Sequence, residues 1–378
     1  MKTIFAILLF GLVSSNTVNA NEPLRFYIGT GADADVGGIF LSSINLQTGT
    51  LLPPERAAAA SQNAFVALHP NLPVLYSVAE LYSGDDKKVA GITAWKIDPV
   101  TGHLTKINHQ PAGGTGACFV IARGDGGYAA LANYGSGSIS LYPLQKDGSL
   151  DAATANVQHE GTGPVESRQS EPHAHSVRFD TTGHRLLAAD LGTNDIFIYD
   201  ISTDGKLTPS TPPSLIAPPG SGPRHFVFSP DGRFVLSLGE LDGTISTFSF
   251  DPVNANAIHT ASTMVEGVPE DAVRASAEIL FHPKLPVVYC SNRGPNEIAT
   301  FDFDTQTGHV TRRSAIACGG TTPRNFRLTP DGRFLLVANQ GSNNVAVFSV
   351  DDKGNLSPTD QSISVPTPMC IKFIGDRS

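Results

Sequence analysis

The chain has 378 residues, a formal charge of −9, 40% hydrophobic residues and only 16% charged ones. That balance excludes a disordered or coiled-coil chain, and its acidic sign disfavours nucleic acid and anionic membrane surfaces as partners. With 37 glycines and 27 prolines, about one residue in six is a turn former against about one in eight ordinarily, which favours many short strands over long helices.

In chain order, the first segment does not belong to the folded domain. Lys2 is a positive start, Ile4 to Val13 an apolar stretch too short to span a bilayer, and Val18-Asn19-Ala20 a small-residue cleavage site. Residues 1–20 are read as a signal peptide and 21–378 as one domain, so the mature protein is expected to be exported, periplasmic or secreted. No later stretch is apolar for the roughly 18 residues that a membrane helix needs.

Beyond the signal, Phe26-Tyr-Ile-Gly-Thr and Gly38-Ile-Phe-Leu read as two strands, and internal repetition begins. Pro223-Arg-His-Phe-Val-Phe-Ser-Pro-Asp-Gly-Arg-Phe-Val-Leu-Ser and Pro323-Arg-Asn-Phe-Arg-Leu-Thr-Pro-Asp-Gly-Arg-Phe-Leu-Leu-Val are copies of one unit. Weaker copies start near Ala64, Cys118, His175 and Ala277, and a truncated one near Met369 ends the chain. Successive anchors lie between 45 and 57 residues apart. Each unit reads as a strand, a Pro-Asp-Gly-Arg type turn, two further strands and a short outer strand after a Thr-Gly or Asp-Gly turn. Such a period with β patterning means propeller blades. The expected fold is all-β: a seven-bladed β-propeller of four-stranded antiparallel blades, with the ring closed by N- and C-terminal strands sharing one blade.

Cys118, Cys290, Cys318 and Cys370 show no C-x-x-C spacing, so neither a zinc nor a redox motif is indicated. One or two disulfides are chemically possible in an oxidising compartment, and the spacing leaves their formation open.

The residues at the start of the inner strands define a ring around the channel. Ala64 with Glu80, Cys118 with Tyr134, His175 with Leu191, Arg224 with Glu240, Ala277 with Arg293 and Arg324 with Gln340 are each 16 positions apart, which predicts cross-strand neighbours. The ring holds His175, Arg224, Glu240, Arg293, Arg324, Glu80, Tyr134 and Gln340. Three arginines there point to recognition of an anionic small molecule. Glu240, opposite Arg224, is a candidate base or one half of a structural ion pair. His173 and His175, two apart, are expected on one side of a strand. No metal is assigned to them, because the ring offers too few further ligands, and His173 is read as orienting its partner.

Other signals are weak. Gly29-Thr-Gly31 lacks the third glycine of a dinucleotide site, and no Gly-x-Ser-x-Gly elbow occurs. Asp33-Ala-Asp35 reads as a solvated turn. The polar connection Gly161–Glu171 is read as a disordered surface loop, the alternative being a cover over the channel mouth.

Pro172-His-Ala-His-Ser, Gly222-Pro-Arg-His-Phe, Gly239-Glu-Leu-Asp-Gly-Thr, Ser291-Asn-Arg-Gly, and Pro323-Arg-Asn-Phe with Ala338-Asn-Gln-Gly resemble motifs of the seven-bladed propeller lactonase family, which includes bacterial 6-phosphogluconolactonase and the fungal carboxy-muconate cyclising enzyme. The resemblance spans nearly the whole mature chain. It implies an active site at His175, Arg224, Glu240 and Arg293, the same residues that the spacing selects. His173, Arg324, Gln340, Glu80 and Tyr134 complete the expected substrate-binding set. The export signal departs from a cytoplasmic sugar-phosphate role, so another lactone is a candidate substrate.

The leading expectation is hydrolysis of a small anionic lactone by a monomer without cofactor, Glu240 or His175 deprotonating water and Arg224 or Arg293 stabilising the oxyanion. The alternatives are reversible cyclisation of an unsaturated diacid and a secreted, non-catalytic binding propeller.

Overall fold

Phe334-Leu-Leu-Val-Ala-Asn is apolar at five of six positions, so as a strand it needs cover on both faces. All six of its residues are buried. Successive side chains supply opposite faces: Leu336 and Ala338 join a cluster with Phe26, Ile28 and Ile371 on one side, and Leu335 and Val337 join one with Tyr289, Ile298 and Phe348 on the other. Outer strands have one such neighbour fewer. Leu356–Ser364 is mostly polar, with Ile363 its only buried residue.

The structure, a computed structural model, describes residues 23–82, 88–250, 255–262 and 274–375. The expected signal peptide at 1–20 lies outside them. The described strands form seven four-stranded antiparallel sheets, and the only helix among the described residues is the four-residue turn Glu166–Gln169. These are the blades of a seven-bladed propeller. None of the four cysteines is in a disulfide.

Blade one is assembled from both ends of the chain. Its innermost strand is Pro368–Phe373, followed by Leu24–Thr30, Ile39–Ile44 and Glu55–Ala58. Phe26 faces Phe373 and Ile28 faces Ile371 across the ladder. All four side chains are fully buried, and the two phenyl rings meet edge to face at 5.5 Å.

Local chemistry explains the turns. In Ser229-Pro-Asp-Gly-Arg, Gly232 N–H donates to Ser229 O at 2.8 Å, and Gly232 takes a φ of +72° that a side chain would resist. The Asp231 carboxylate accepts from the Ser229 hydroxyl and from Arg233 Nε, and the same arrangement recurs at Thr329–Arg333. In blades two and six a histidine replaces the hydroxyl: His69 and His282 each accept two backbone N–H groups at Nδ1. Neighbouring blades are joined by buried tyrosines, with Tyr27, Tyr76 and Tyr289 donating to the carbonyls of Gly102, Gly148 and Gly354 in the outer turn of the next blade.

Closure through blade one generates a prediction. Ile371→Ala removes a buried side chain from the strand that completes the ring, and is expected to cost about 2–5 kcal/mol. Urea denaturation followed by circular dichroism measures it; a loss below about 1 kcal/mol would show that the ring does not depend on this contact.

Candidate active site

The site is built by a repeated distortion where the inner strands begin. Two residues before the anchor, the backbone adopts a left-handed conformation in six blades: φ is +54° at Gln62, +66° at Gly116, +63° at Gly222, +47° at Ala275, +57° at Thr322 and +40° at Thr367. In blades three to seven a β-bulge lies at the anchor, enclosing Cys118, His175, Arg224 with His225, Ala277 with Glu278, and Arg324. A bulge breaks the alternation of faces and re-aims the side chains it contains. Several of those side chains meet at the channel as a result.

The bulge also corrects the expected pairing. The residues after the second strand bond two positions earlier than predicted: Tyr134, Glu240, Arg293 and Gln340 donate their backbone N–H groups to the carbonyls of Gly116, Gly222, Ala275 and Thr322. The 16-residue pairs are therefore not directly opposite in the ladder. Arg224 nevertheless reaches Glu240, through its side chain rather than through register.

A cavity of about 400 Å³ opens at this end of the channel. Arg168, Arg224, Arg293 and Arg324 line it together with a single carboxylate, Glu240; His175 and Tyr134 form another side, and Phe65 and His225 also border it. Glu240 Oε1 is 2.8 Å from Arg168 Nη2, and Oε2 is 2.8 Å from both Arg224 Nε and Arg293 Nη2. Burial by itself would raise the Glu240 pKa, but Arg293, Arg224 and Arg168 overcome that and hold it at about 2. Arg224, only 1% exposed, is drawn down to about 9 by burial and by the Arg293 and Arg324 charges, and remains cationic at neutral pH. Four guanidiniums around one carboxylate leave the cavity strongly positive.

His175 has the opposite bias. Burial and the nearby Arg224, His225, Arg324 and Arg293 push its pKa well below the ordinary histidine value, so its imidazole is neutral at pH 7. Its Nδ1 is buried and has no hydrogen-bond partner, and its ring meets those of Tyr134 and His225 edge-on at 5.4 and 5.3 Å. His225 is likewise neutral, burial bringing it to about 4, and its Nδ1 lies 3.0 Å from Glu278 Oε1. Asn325 donates to the other oxygen of Glu278. Cys118 also borders the cavity, but burial lifts its thiol to about 12, and the S–H faces the carbonyl of His175 at 3.3 Å. It has no thiolate to offer as a nucleophile.

The structure thus brings His175, Arg224, Glu240, Arg293, Arg324 and Tyr134 to one cavity. Glu80, His173 and Gln340 are not part of its lining. Gln340 stands behind Arg324, its Oε1 3.5 Å from Nη1. His173 precedes the strand, and its ring stacks on Tyr134 at 4.5 Å while Nδ1 lies 2.9 Å from Tyr134 O; the His175 ring meets the same tyrosine edge-on. It therefore positions Tyr134 rather than His175. Among the described residues no three His, Cys, Asp or Glu side chains gather as metal ligands.

Two contributors escaped the sequence reading. His225 was signalled only by standing next to Arg224, inside the same bulge. Arg168 belongs to the connection read as a surface loop, which is instead ordered around the turn Glu166–Gln169 and reaches over the mouth. It lies outside the repeat, so no periodicity could have found it.

A family model described as a lactonase with a 7-bladed β-propeller matches residues 25–373. The 6-phosphogluconolactonase of Bacillus subtilis is 31% identical over 351 residues, 92% of this chain and 97% of the relative. That of Formosa agariphila is 32% identical, over 90% of this chain and 96% of its own. The solved structure of a periplasmic gluconolactonase from Pseudomonas aeruginosa superimposes with a TM-score of 0.87 at 29% identity, covering 93% of this chain and 99% of that one.

The electrostatics of Glu240 predict a pH-dependent stability. Glu240→Gln leaves the buried Arg224 charge without its carboxylate, an expected cost of about 3–5 kcal/mol at pH 7. Because the folded pKa of Glu240 is near 2 against an ordinary 4.5, its contribution is complete above pH 4.5 and is lost as pH falls toward 2. Urea titrations at pH 7 and pH 3 should show the gap between wild type and variant narrowing at the lower pH. An equal gap at both would disprove the charge-based account.

Proposed function

The chain belongs to the family of seven-bladed β-propeller lactonases, and from that membership and the cavity geometry we propose that it hydrolyses a small anionic lactone at the mouth of the channel. The observation that carries the reading is a neutral, partly unpartnered imidazole, His175, set among four guanidiniums, three of them clustered on one carboxylate. The substrate class follows from charge. A sugar-acid lactone bearing a phosphate, or a lactone bearing a carboxylate, matches the excess of guanidinium groups.

His175 acts as the general base. It takes a proton from water as the water oxygen attacks the lactone carbonyl, and the oxyanion that develops is stabilised by Arg224 and Arg293. Collapse of the tetrahedral intermediate breaks the bond to the ring oxygen, which receives the proton back from His175. The products are a hydroxyl and a carboxylic acid that ionises and releases its proton to solvent, and water is the only co-reactant. Glu240 is a poor base at a pKa near 2 with both oxygens engaged by guanidiniums; its role is to hold Arg168, Arg224 and Arg293 in place. His225, fixed by Glu278, borders the cavity beside His175.

We also propose export, from the charged and apolar pattern of residues 1–20 and from the periplasmic setting named for the Pseudomonas aeruginosa neighbour. No helix among the described residues is long and apolar enough to cross a membrane.

The test is acid release from phosphorylated, neutral and carboxylated lactones by protein starting at Asn21, with and without chelator. Anionic lactones should be turned over fastest, and His175→Gln should lower kcat by about 10²–10⁴-fold with the fold retained by circular dichroism. Since the base must be unprotonated and its pKa is depressed, kcat/KM should stay level through pH 6.5 and fall only on the acid side of it. A folded protein that releases acid from no lactone would transfer the assignment to cyclisation of an unsaturated diacid or to binding alone. Acid limbs unchanged in His175→Gln would remove that residue as base.

A further inference from the structure

The connection between blades three and four is fastened at both ends to one buried carboxylate. His159 and Asp190 are fully buried as side chains, with His159 Nδ1 2.7 Å from Asp190 Oδ2. Asp190 Oδ1 accepts the backbone N–H of His173 at 2.7 Å, and those of Gly192 and Thr193 at 2.9 and 3.1 Å. Between these ends Gln169 is buried and used on both sides: Nε2 donates to Leu191 O at 2.7 Å and Oε1 accepts from Val165 N at 3.1 Å. The preceding residue is Arg168. A segment so tied delivers that side chain to a defined place.

Arg168 differs from the other cavity guanidiniums in how it is held. Arg224 and Arg293 spend further donors on the carbonyls of Ala277 and Ala275, and their side chains are 2% and 15% exposed. Arg168 is 41% exposed, and its contacts, to Glu240 Oε1 at 2.8 Å and Tyr134 Oη at 3.2 Å, both run through Nη2. Nη1 and Nε have no hydrogen-bond partner among the described residues. Because each parallel donor pair of a guanidinium includes Nη2, Nη1 and Nε offer a phosphate or carboxylate separate single hydrogen bonds beside the positive charge.

We propose that Arg168 is the specificity-determining residue for the anionic end of the substrate: it stays anchored to Glu240 by one amino group and offers its other donors to a phosphate or carboxylate remote from the lactone carbonyl. Asp190, His159 and Gln169 are positioning residues that act through it. The inference rests on the lactonase reading and names the part of the site that selects charge. Its chemistry is recognition only; no bond is made or broken at Arg168.

The experiment compares a phosphorylated sugar lactone with its unphosphorylated counterpart, and separately measures binding of the two open-chain acids by calorimetry. Arg168→Gln should raise KM for the phosphorylated lactone about tenfold to a hundredfold more than for the neutral one, with the larger part of the loss in KM rather than kcat. Arg168→Lys, which keeps the charge but cannot hold Glu240 with one nitrogen while offering donors from two others, should recover only part of that discrimination. Gln169→Leu should show the same pattern at smaller amplitude. In calorimetry Arg168→Gln should weaken the phosphorylated acid by a similar factor. Equal losses on both lactones, or an unchanged dissociation constant for the phosphorylated acid, would overturn the assignment of Arg168. Wild-type protein that binds the phosphorylated acid through Arg168 yet hydrolyses neither lactone would overturn the hydrolytic reading and support the anion site.

Discussion

Seven sheets can surround an axis only if the last one is completed, and here one antiparallel pairing does so. Pro368–Phe373 adds to Leu24–Thr30 and turns two incomplete ends into a blade. An open array would leave the N–H and C=O groups of an inner edge unpaired and apolar faces such as that of Phe26 and Ile28 uncovered. Once the ring is closed, the positions of all seven inner strands about the channel are linked. The cavity inherits its shape from that closure, because its lining comes from the starts of inner strands in different blades.

Within that ring the balance of charge is set by Glu240. Three guanidiniums within 2.8 Å of one carboxylate would repel one another strongly in a partly desolvated place, and the carboxylate compensates only part of their charge. What remains is a standing positive potential, arranged before any ligand arrives. Pre-arranged donors of this kind lose little freedom when an anion binds or when charge develops on an oxygen. Burial first, and the arginine charges second, keep His175 neutral, and burial does the same for His225 beside it.

The left-handed residues at Gln62, Ala275, Thr322 and Thr367 belong to the same picture. Side-chain-bearing residues in that conformation carry a cost, which is tolerated where the surroundings over-determine the backbone. Ala275 and Thr322 stand just before the bulges that take Ala277 with Glu278, and Arg324, out of regular alternation; before Arg224 and His225 the same place is held by Gly222. A perfectly regular strand would have sent one of each pair away from the channel.

The sequence by itself determined the all-β propeller, its seven units and the shared first blade, because repeats and the Pro-Asp-Gly-Arg turns act locally and leave a periodic trace. It also singled out His175, Arg224, Glu240, Arg293, Arg324 and Tyr134, since each occupies the same place in a repeat. Tertiary structure alone decided which of the nine candidates face the cavity. Glu80 and Gln340 satisfied the 16-residue spacing and His173 stands two before His175, yet none of the three lines the cavity: Gln340 backs Arg324, and His173 stacks on Tyr134. Arg168 was invisible for a complementary reason. It sits in a connection outside the repeat, and its place at the mouth depends on a buried Asp190 and Gln169 whose partners are distant in sequence. Local pattern determines which elements form; long-range hydrogen bonds and shared charge determine where their side chains meet.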